Sequence, residues 1–279
     1  CCAPAVPDRD RHFLLLLLLS GTSHNLGQNF AKAFDIRYLD DGGDLKHVHQ
    51  TSWGVSTRMV GGVIMSHGDD KGLQLPPHLA PIQAVILPIG KKEEQLKQIG
   101  AVAKQVEEAL SASGIRCKID DSKGKTPGWK FNYWEMKGVP VRIEIGARDL
   151  ESNSCVVARR DRPGKEGKTF GVPVEAGAIT EKVAETLDSI HASMLEEATR
   201  FRDENIVDVA TYDELKAAVE EGKWARGYWC GTDAQEEQVK DETGATLRCF
   251  PFDQPSGPPG KCFMTQEDAK EVAIFAKSY

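Results

Sequence analysis

The sequence lacks an apolar run long enough to span a membrane. The stretch Phe13–Leu19 is far shorter than the ~20 residues that a transmembrane helix needs. Charged residues at positions 8–11 precede it and no small-residue cleavage site follows, so a secretory signal peptide is not indicated either. We therefore expect no association with a membrane.

The sequence also lacks a cysteine pattern that would indicate disulfides. Its seven cysteines are odd in number and irregularly spaced, whereas a disulfide framework usually has an even number at regular spacings. A reducing compartment fits this usage best. We therefore predict a cytoplasmic location.

An overall excess of positive charge is missing as well, since the formal net charge is -7. The charge is unevenly distributed, however. Residues 115–170 contain 13 Lys and Arg against 8 Asp and Glu, a balance of +5, whereas residues 186–279 contain 10 against 19, a balance of -9. The middle third is where cations could meet the phosphates of a nucleic acid, although an ordinary solvated surface would show the same imbalance.

With 279 residues, of which 40% are hydrophobic, the chain is long enough for about two domains. A loop-like segment followed by Pro76 and Pro77 indicates a domain boundary near residue 80. Beyond it, strand-like and helical stretches alternate, which predicts an α/β domain with helices covering a sheet. The strand-like runs are residues 82–89, 115–119, 139–145 and 155–158, and the helical patterns are residues 91–113, 129–137 and 183–194. The capping box Thr211–Glu214 predicts a further short helix.

Two segments near the start of the chain carry the most specific signal. They are Thr22–Phe30, TSHNLGQNF, and Gln50–Arg58, QTSWGVSTR. Together they closely resemble prolyl-tRNA synthetases of the eukaryotic and archaeal type, which are class II aminoacyl-tRNA synthetases, and the resemblance extends from residue 21 to the end of the chain. It implies ATP-dependent attachment of proline to tRNA(Pro) through prolyl-adenylate. The implied partners are tRNA(Pro), proline and ATP with Mg²⁺.

The resemblance also assigns roles to individual residues. Arg58 corresponds to the arginine of the third class II motif and is the expected catalytic residue. Thr22, Ser56 and Arg58 are expected to contact ATP, His24 is expected to bind proline, and Trp53 is expected to be a substrate-binding residue. The chemistry agrees, because an arginine fork at a helix N-terminus can neutralise the charge that moves during displacement at the α-phosphate.

Departures from the family pattern bear on activity. Leu19 stands where relatives have a glutamine that helps hold ATP and magnesium, and the two earlier class II motifs, one of which forms the dimer, are absent. The chain begins at Cys1, and its first 20 residues resemble nothing in the family, so we expect a fragment. Electrostatic catalysis needs a complete shell; we therefore expect a homodimeric parent enzyme to be active and this chain alone to be catalytically incomplete. The alternative is a non-catalytic tRNA-binding module derived from a synthetase.

The segment Gly138–Asp149 is similar to one shared by the anticodon-binding domains of several class II synthetases. Strand alternation would bury one face of this segment and leave the other to read unpaired bases. The aromatic residues between positions 129 and 134 either add stacking surface or simply belong to the core. The residues expected to contact tRNA are Arg142, Glu144, Arg148, Arg159 and Arg160.

The last segments resemble the zinc-binding end domain of these enzymes, whose site uses four cysteines. Cys230 and Cys262 match two of the positions, whereas Gln235 and Met264 stand at the other two, and Cys249 is a candidate third thiolate. Structural zinc requires a closed shell of four ligands. We therefore expect no zinc or only very weak binding.

The predicted architecture is α/β overall, with three units after an unassigned segment at residues 1–20. Residues 21–80 would be the remnant of an antiparallel class II catalytic sheet, and residues 81–185 an anticodon-binding domain with a mixed sheet. Residues 186–279 would form a small α+β C-terminal domain. The resemblance further implies that the carboxylate of Tyr279 reaches back toward the active site.

Overall fold

The computed structural model describes residues 21–90 and 92–277. The segment 1–20, with Leu19, and the carboxylate of Tyr279 therefore lie outside the described residues. Among the described helices, none combines the length and the apolar character that crossing a bilayer would require.

Residues 21–80 form two antiparallel ribbons and two helices. The elements are β1 (Gly21–Gly27), α1 (Asn29–Ala33), β2 (Arg37–Leu39), β3 (Leu45–His47), β4 (Gln50–Val55) and α2 (Arg58–His67). β1 pairs with β4, and β2 pairs with β3. No residue of α2 is buried. An antiparallel arrangement was expected here, but in the described residues each sheet has only two strands.

The middle of the chain is a mixed five-stranded sheet covered by helices on both faces. Its elements are β5 (Ala84–Ile89), α3 (Glu93–Ala112), β6 (Cys117–Ile119), α4 (Pro127–Met136), β7 (Val141–Gly146), α5 (Ala147–Glu151), β8 (Ser154–Arg159), β9 (Lys168–Pro173) and α6 (Ala176–Glu204). The strand order is β6-β5-β7-β8-β9, with β5 parallel to β6 and β7, and β8 antiparallel to its neighbours. The predicted α/β fold with a mixed sheet is confirmed.

The two faces of β7 show why the sheet takes this orientation. Val141, Ile143 and Ile145 are fully buried against α3 and α6, as the alternation predicted. The opposite face packs against α4, where Trp134 and Val139 join Val85 and Leu87 of β5 in a smaller core. This second face carries Arg142 and Glu144.

Helix α6 crosses the domain boundary that was predicted at residue 185. Its 29 residues run through that position without a break. Leu187, Ile190 and Met194 lie beyond it and are still buried in the α/β core. The backbone leaves the helix at Asn205 and enters a new sheet, so we propose that the C-terminal unit begins near residue 206.

The C-terminal unit is a four-stranded sheet with two covering helices and a small two-stranded ribbon. Its elements are β10 (Ile206–Asp208), α7 (Tyr212–Glu220), β11 (Trp224–Trp229), α8 (Asp233–Thr243), β12 (Ala245–Cys249), β13 (Gly260–Lys261), β14 (Asp268–Ala269) and β15 (Glu271–Lys277). The strand order is β10-β11-β15-β12. Three mutually packed rings, those of Trp229, Phe263 and Phe275, form the centre of its core.

The capping box predicted for α7 is present. The backbone N–H of Glu214 donates to Thr211 Oγ1 at 3.3 Å, and the backbone N–H of Thr211 donates to Glu214 Oε2 at 3.3 Å. Two N–H groups that would otherwise lack a partner at the helix start are thereby satisfied.

A buried ion pair joins the first unit to the α/β unit. Arg160 Nη1 and Nη2 donate to the two carboxylate oxygens of Asp69 at 2.9 and 2.6 Å, and Arg160 Nε donates to the carbonyl of Glu135 at 2.9 Å. The Arg160 side chain is only 5% exposed. Burial alone would raise the pKa of Asp69, but the hydrogen bonds and charge of Arg160 outweigh this effect and lower it to about 2.

The backbones of the two units also touch directly beside this ion pair. The N–H of Leu73 donates to the carbonyl of Met136 at 3.0 Å. Gly72 and Gly138 both have positive φ, and a Cβ on either would approach the facing chain to 2.6 or 2.7 Å. The close contact therefore requires glycine at both positions.

We expect Asp69→Asn to destabilise the fold by about 3 kcal/mol, because it leaves the buried guanidinium of Arg160 without its counter-charge. Chemical denaturation monitored by circular dichroism would measure the change. Asp70→Asn, an exposed neighbour, is the matched control and should alter stability by less than ~0.5 kcal/mol.

The same pair should show a defined pH dependence. Because the folded-state pKa of Asp69 is depressed to about 2, its stabilising contribution is complete above the unfolded pKa of about 4 and is lost as pH falls toward 2. The stability difference between the wild type and Asp69→Asn should therefore shrink over this range. A difference that is constant with pH would contradict the assignment.

Candidate functional site

Thr22 and His24 lie on one face of the β1–β4 ribbon. Thr22 is paired with Gly54, and His24 with Ser52. A Cβ on Gly54 would lie 3.4 Å from Thr22 Oγ1, so the glycine leaves room beside the hydroxyl. His24 is exposed.

Trp53 lies on the other face of this ribbon. It is paired with Ser23, and its indole Nε1 donates to Ser23 Oγ at 2.8 Å. Side chains alternate along a strand, so Trp53 and His24 point in opposite directions. Of the two residues expected to bind substrate, His24 shares a face with Thr22, whereas Trp53 lies on the opposite face.

Ser56 and Arg58 follow β4 at the end where β1 begins. Gly21 pairs with Val55, so Thr22, Ser56 and Arg58 come to the same end of the ribbon. Arg58 is the first residue of α2, and its backbone N–H donates to Ser56 Oγ at 3.2 Å. The predicted strand-to-helix junction is thus present, with an arginine as the first residue of the helix.

This first unit exposes an unusual amount of apolar surface. Phe34 is 72% exposed, Leu39 67%, Trp53 75% and Val55 78%. A two-stranded ribbon is only marginally stable without further strands or a covering layer. In the described residues, the predicted ATP site therefore consists of one ribbon end and one helix start rather than an enclosed pocket.

A second candidate site lies on the face of β7 that packs toward α4. Glu144, 8% exposed, accepts from Arg142 Nε at 3.0 Å and from Lys168 Nζ at 2.9 and 3.0 Å. The guanidinium of Arg142 also lies over the ring of Phe131, 4.4 Å from its centroid. A buried carboxylate thus holds two cations beside an aromatic ring, and the side chains of Trp134 and Arg162 line the same cleft.

The other residues expected to contact tRNA differ in how available they are. Arg148, on α5, is exposed. Arg159 is bound by Asp161 through two hydrogen bonds of 2.9 and 2.7 Å and also donates to Ser189 on α6. Arg160 is buried in the ion pair with Asp69. We therefore revise the expected tRNA contact of Arg160 to a structural role.

Lys168 and Phe131 were not identified as partners in this site from the sequence. Lys168 opens strand β9, which the sequence analysis did not predict. The alternation of Phe170 and Val172 after it was the available signal for a strand. Phe131 was counted among aromatics that could equally be core, and nothing in the sequence links it to Arg142.

Two cysteines of the C-terminal unit lie together. Cys262 is fully buried and Cys230 is exposed, and the neighbouring Cys262 thiol raises the pKa of Cys230. The third side chain at this point is Thr265, whose Oγ1 lies 3.5 Å from Cys230 Sγ. Burial alone would raise the pKa of Cys262, but hydrogen bonds from Thr265 and from nearby backbone N–H groups outweigh it and lower the pKa.

The residue beside the two thiols is therefore Thr265 rather than Met264, which packs against the core of the unit. Gln235 belongs to the capping box of α8, in which its side-chain oxygen accepts a hydrogen bond from the backbone N–H of Thr232 at 2.8 Å. Two thiols and a hydroxyl do not fit the four-ligand shell of a structural zinc ion. Within residues 21–90 and 92–277, no cluster of three His, Cys, Asp or Glu side chains could hold a metal ion.

Comparison with known proteins yields two family matches. Residues 83–185 match the anticodon binding domain family, and residues 212–279 match the family described as prolyl-tRNA synthetase, C-terminal.

Individual relatives cover nearly the whole chain. It is 59% identical over 262 residues to the chloroplastic/mitochondrial proline--tRNA ligase of Arabidopsis thaliana, which is 94% of this chain and 48% of the relative. It is 47% identical to the proline--tRNA ligase of Roseiflexus sp., covering 94% of this chain and 53% of the relative. The chain thus spans about half the length of the curated relatives it matches.

Solved structures agree with the sequence matches. Prolyl-tRNA synthetase from Cryptosporidium parvum, complexed with L-proline and AMP, superimposes with a TM-score of 0.80 at 38% identity, covering 93% of this chain and 54% of that one. The same enzyme complexed with halofuginone and AMPPNP gives a TM-score of 0.81.

The class of protein that the mixed α/β sheet matches is the anticodon-binding domain family. The C-terminal match and the relatives narrow this class. Over nearly all of its length, the chain is similar to about half of each prolyl-tRNA synthetase that it matches.

We expect the C-terminal unit to be stable without zinc, because its core is formed by apolar side chains and its thiol pair lacks two ligands. A chelator should leave the midpoint of thermal unfolding unchanged, and metal analysis should find far less than one zinc per chain. Thr265→Cys, which adds a third thiolate, should raise zinc retention. Stoichiometric zinc in the wild type would contradict the expectation.

Proposed function

We propose that this chain is part of a proline--tRNA ligase and that its α/β unit binds the anticodon region of tRNA(Pro). The observation that carries the proposal is the cluster of Arg142, Glu144, Lys168 and Phe131 on the face of β7 that packs toward α4. It combines charge, fixed donors and an aromatic ring within the residues that match the anticodon binding domain family. Unpaired bases are recognised by such combinations of stacking and hydrogen bonds.

In this proposal Glu144 is a positioning residue. It fixes Arg142 by one hydrogen bond and Lys168 by two, so both cations are held in place before the RNA binds. Arg142 is the candidate for base recognition, because its planar fork can donate to a base edge while its face rests on Phe131. Lys168, Arg162 and Arg148 are candidates for phosphate contacts, which set the orientation of the RNA.

Thr22, His24, Ser56 and Arg58 are proposed to belong to the aminoacylation site of the complete enzyme. Arg58 would stabilise the charge at the α-phosphate, with Ser56 and Thr22 beside it and His24 toward the proline. The Cryptosporidium enzyme binds L-proline together with AMP, which supports ATP as the co-substrate.

The use of Mg²⁺ and a homodimeric parent remain proposals from the resemblance. The cytoplasmic location also stays a prediction, since the Arabidopsis relative is a chloroplastic/mitochondrial enzyme.

We expect Arg142→Ala to weaken binding of tRNA(Pro) about tenfold. Lys168→Ala should lower the slope of log affinity against log salt concentration by the amount that corresponds to about one phosphate contact. Filter binding across a salt series would measure both effects. Lys240→Ala, on the exposed surface of α8, is the control and should change neither. If Arg142→Ala binds like the wild type, the β7 face is not the anticodon site.

In the complete parent enzyme, Arg58→Ala should lower proline-dependent ATP–pyrophosphate exchange by about 100-fold or more, because a preorganised charge at the transition state is removed. Arg37→Ala, an exposed arginine in the same unit, should leave exchange unchanged. The 279-residue chain alone should show no exchange above background. Exchange by this chain would mean that the residues present are sufficient for activation.

A further inference from the structure

A row of alternating cations and rings runs along the outer face of α4. Lys125, Trp129, Tyr133 and Lys137 are spaced four residues apart, the interval that places side chains one above the other on a helix. The rings of Trp129 and Tyr133 are stacked, with centroids 5.0 Å apart and planes inclined by 14°. Lys125 Nζ lies 4.5 Å from the Trp129 ring and Lys137 Nζ lies 4.5 Å from the Tyr133 ring.

The start of the helix fixes this row in place. Thr126 caps α4 by accepting from the N–H of Trp129 at 3.3 Å, and Pro127 occupies the first turn. Both features favour a helix that begins at this position. Trp129 is therefore held on a rigid element even though its side chain is 43% exposed.

A buried wall supports the row from behind. Tyr133 meets Trp134 edge to face at 5.1 Å, and Trp134 Nε1 donates to Asp120 Oδ2 at 2.7 Å. Lys130 Nζ, also buried, lies 3.3 Å from Asp120 Oδ1. The negative charge of Asp120 is thus compensated inside the fold, and Trp134 separates the row from the Arg142 cluster on its other side.

A basic groove continues from the row. A cavity of about 1130 Å³ between α3, β6 and the start of α4 is lined by six lysines and four carboxylates. One lysine and one carboxylate, Lys130 and Asp120, neutralise each other within the fold. The remaining lysines are Lys97, Lys104, Lys118, Lys123 and Lys125. Stacking rings beside a groove of positive charge are the combination by which proteins bind single-stranded nucleic acids.

We propose that the Lys125–Trp129–Tyr133–Lys137 row stacks an unpaired nucleotide of the RNA next to the bases read at Arg142, and that the lysine groove carries the adjoining phosphates. The inference rests on the proposed anticodon function and adds a second contact area to it. The lysines over the rings are exposed, so a base can replace Lys125 over Trp129 while the ammonium moves to a phosphate. Stacking tolerates any base, so this area contributes affinity rather than sequence reading.

The test uses the full 279-residue chain and an RNA hairpin with the anticodon loop of tRNA(Pro), labelled with a fluorescent adenine analogue directly 5′ or 3′ of the anticodon. We expect Trp129→Ala to weaken binding about tenfold and to abolish the fluorescence quenching seen with the wild type at one of the two labelled positions. Trp129→Phe, which keeps a stacking face, should recover most of both signals. Phe250→Ala removes a ring of comparable exposure, 44% against 43% for Trp129, from the C-terminal unit and should have no effect.

Lys125→Ala provides a second variant that leaves the core untouched. It should lower affinity about threefold and reduce the salt dependence by about one contact. Normal binding by both Trp129→Ala and Lys125→Ala, with weakened binding by Arg142→Ala, would overturn the stacking row and leave the proposed function intact. If the wild-type chain does not bind the hairpin at all, the proposed function and the inference fail together.

Discussion

The guanidinium of Arg160, which directly follows strand β8, binds two other stretches of chain at once. It pairs with Asp69 after α2, and its Nε donates to the carbonyl of Glu135 at the end of α4. Because a buried charge needs compensation, loss of Asp69 would leave the guanidinium in an unfavourable environment. This ion pair and the neighbouring backbone contact of Gly72 and Gly138 with the facing chain together join the first unit to the end of α4.

The electrostatics of the α/β unit follow a common pattern on both sides of Trp134. Acidic side chains are turned inward and hold cations in fixed positions: Glu144 holds Arg142 and Lys168, and Asp120 holds Lys130. The surplus cations remain at the surface. A chain whose net charge is negative can therefore present a locally positive surface, which is what the uneven charge distribution along the sequence indicated.

The sequence predicted the elements of the fold better than the contacts between them. Helices α3 and α7 and strand β7 come within a few residues of their predicted bounds, because periodicity and capping are local properties. The role of Arg160 and the position of Thr265 were missed, since each depends on residues far away in the chain: Asp69 for one, Cys230 for the other. The face on which Trp53 lies could not be predicted, because strand register, which decides its direction, cannot be read from a motif.

Helix α6 touches every unit of the chain. Its first half fills the α/β core, His191 stacks on His78 with ring centroids 4.1 Å apart, and its last turn delivers the chain to β10. At 1.5 Å per residue its 29 residues span about 44 Å, and it contains no proline and no glycine after Gly177. Because the helix is continuous, a rotation of a few degrees at the α/β sheet would become a displacement of several ångströms at its far end. The helix therefore couples the position of the C-terminal sheet mechanically to the α/β core.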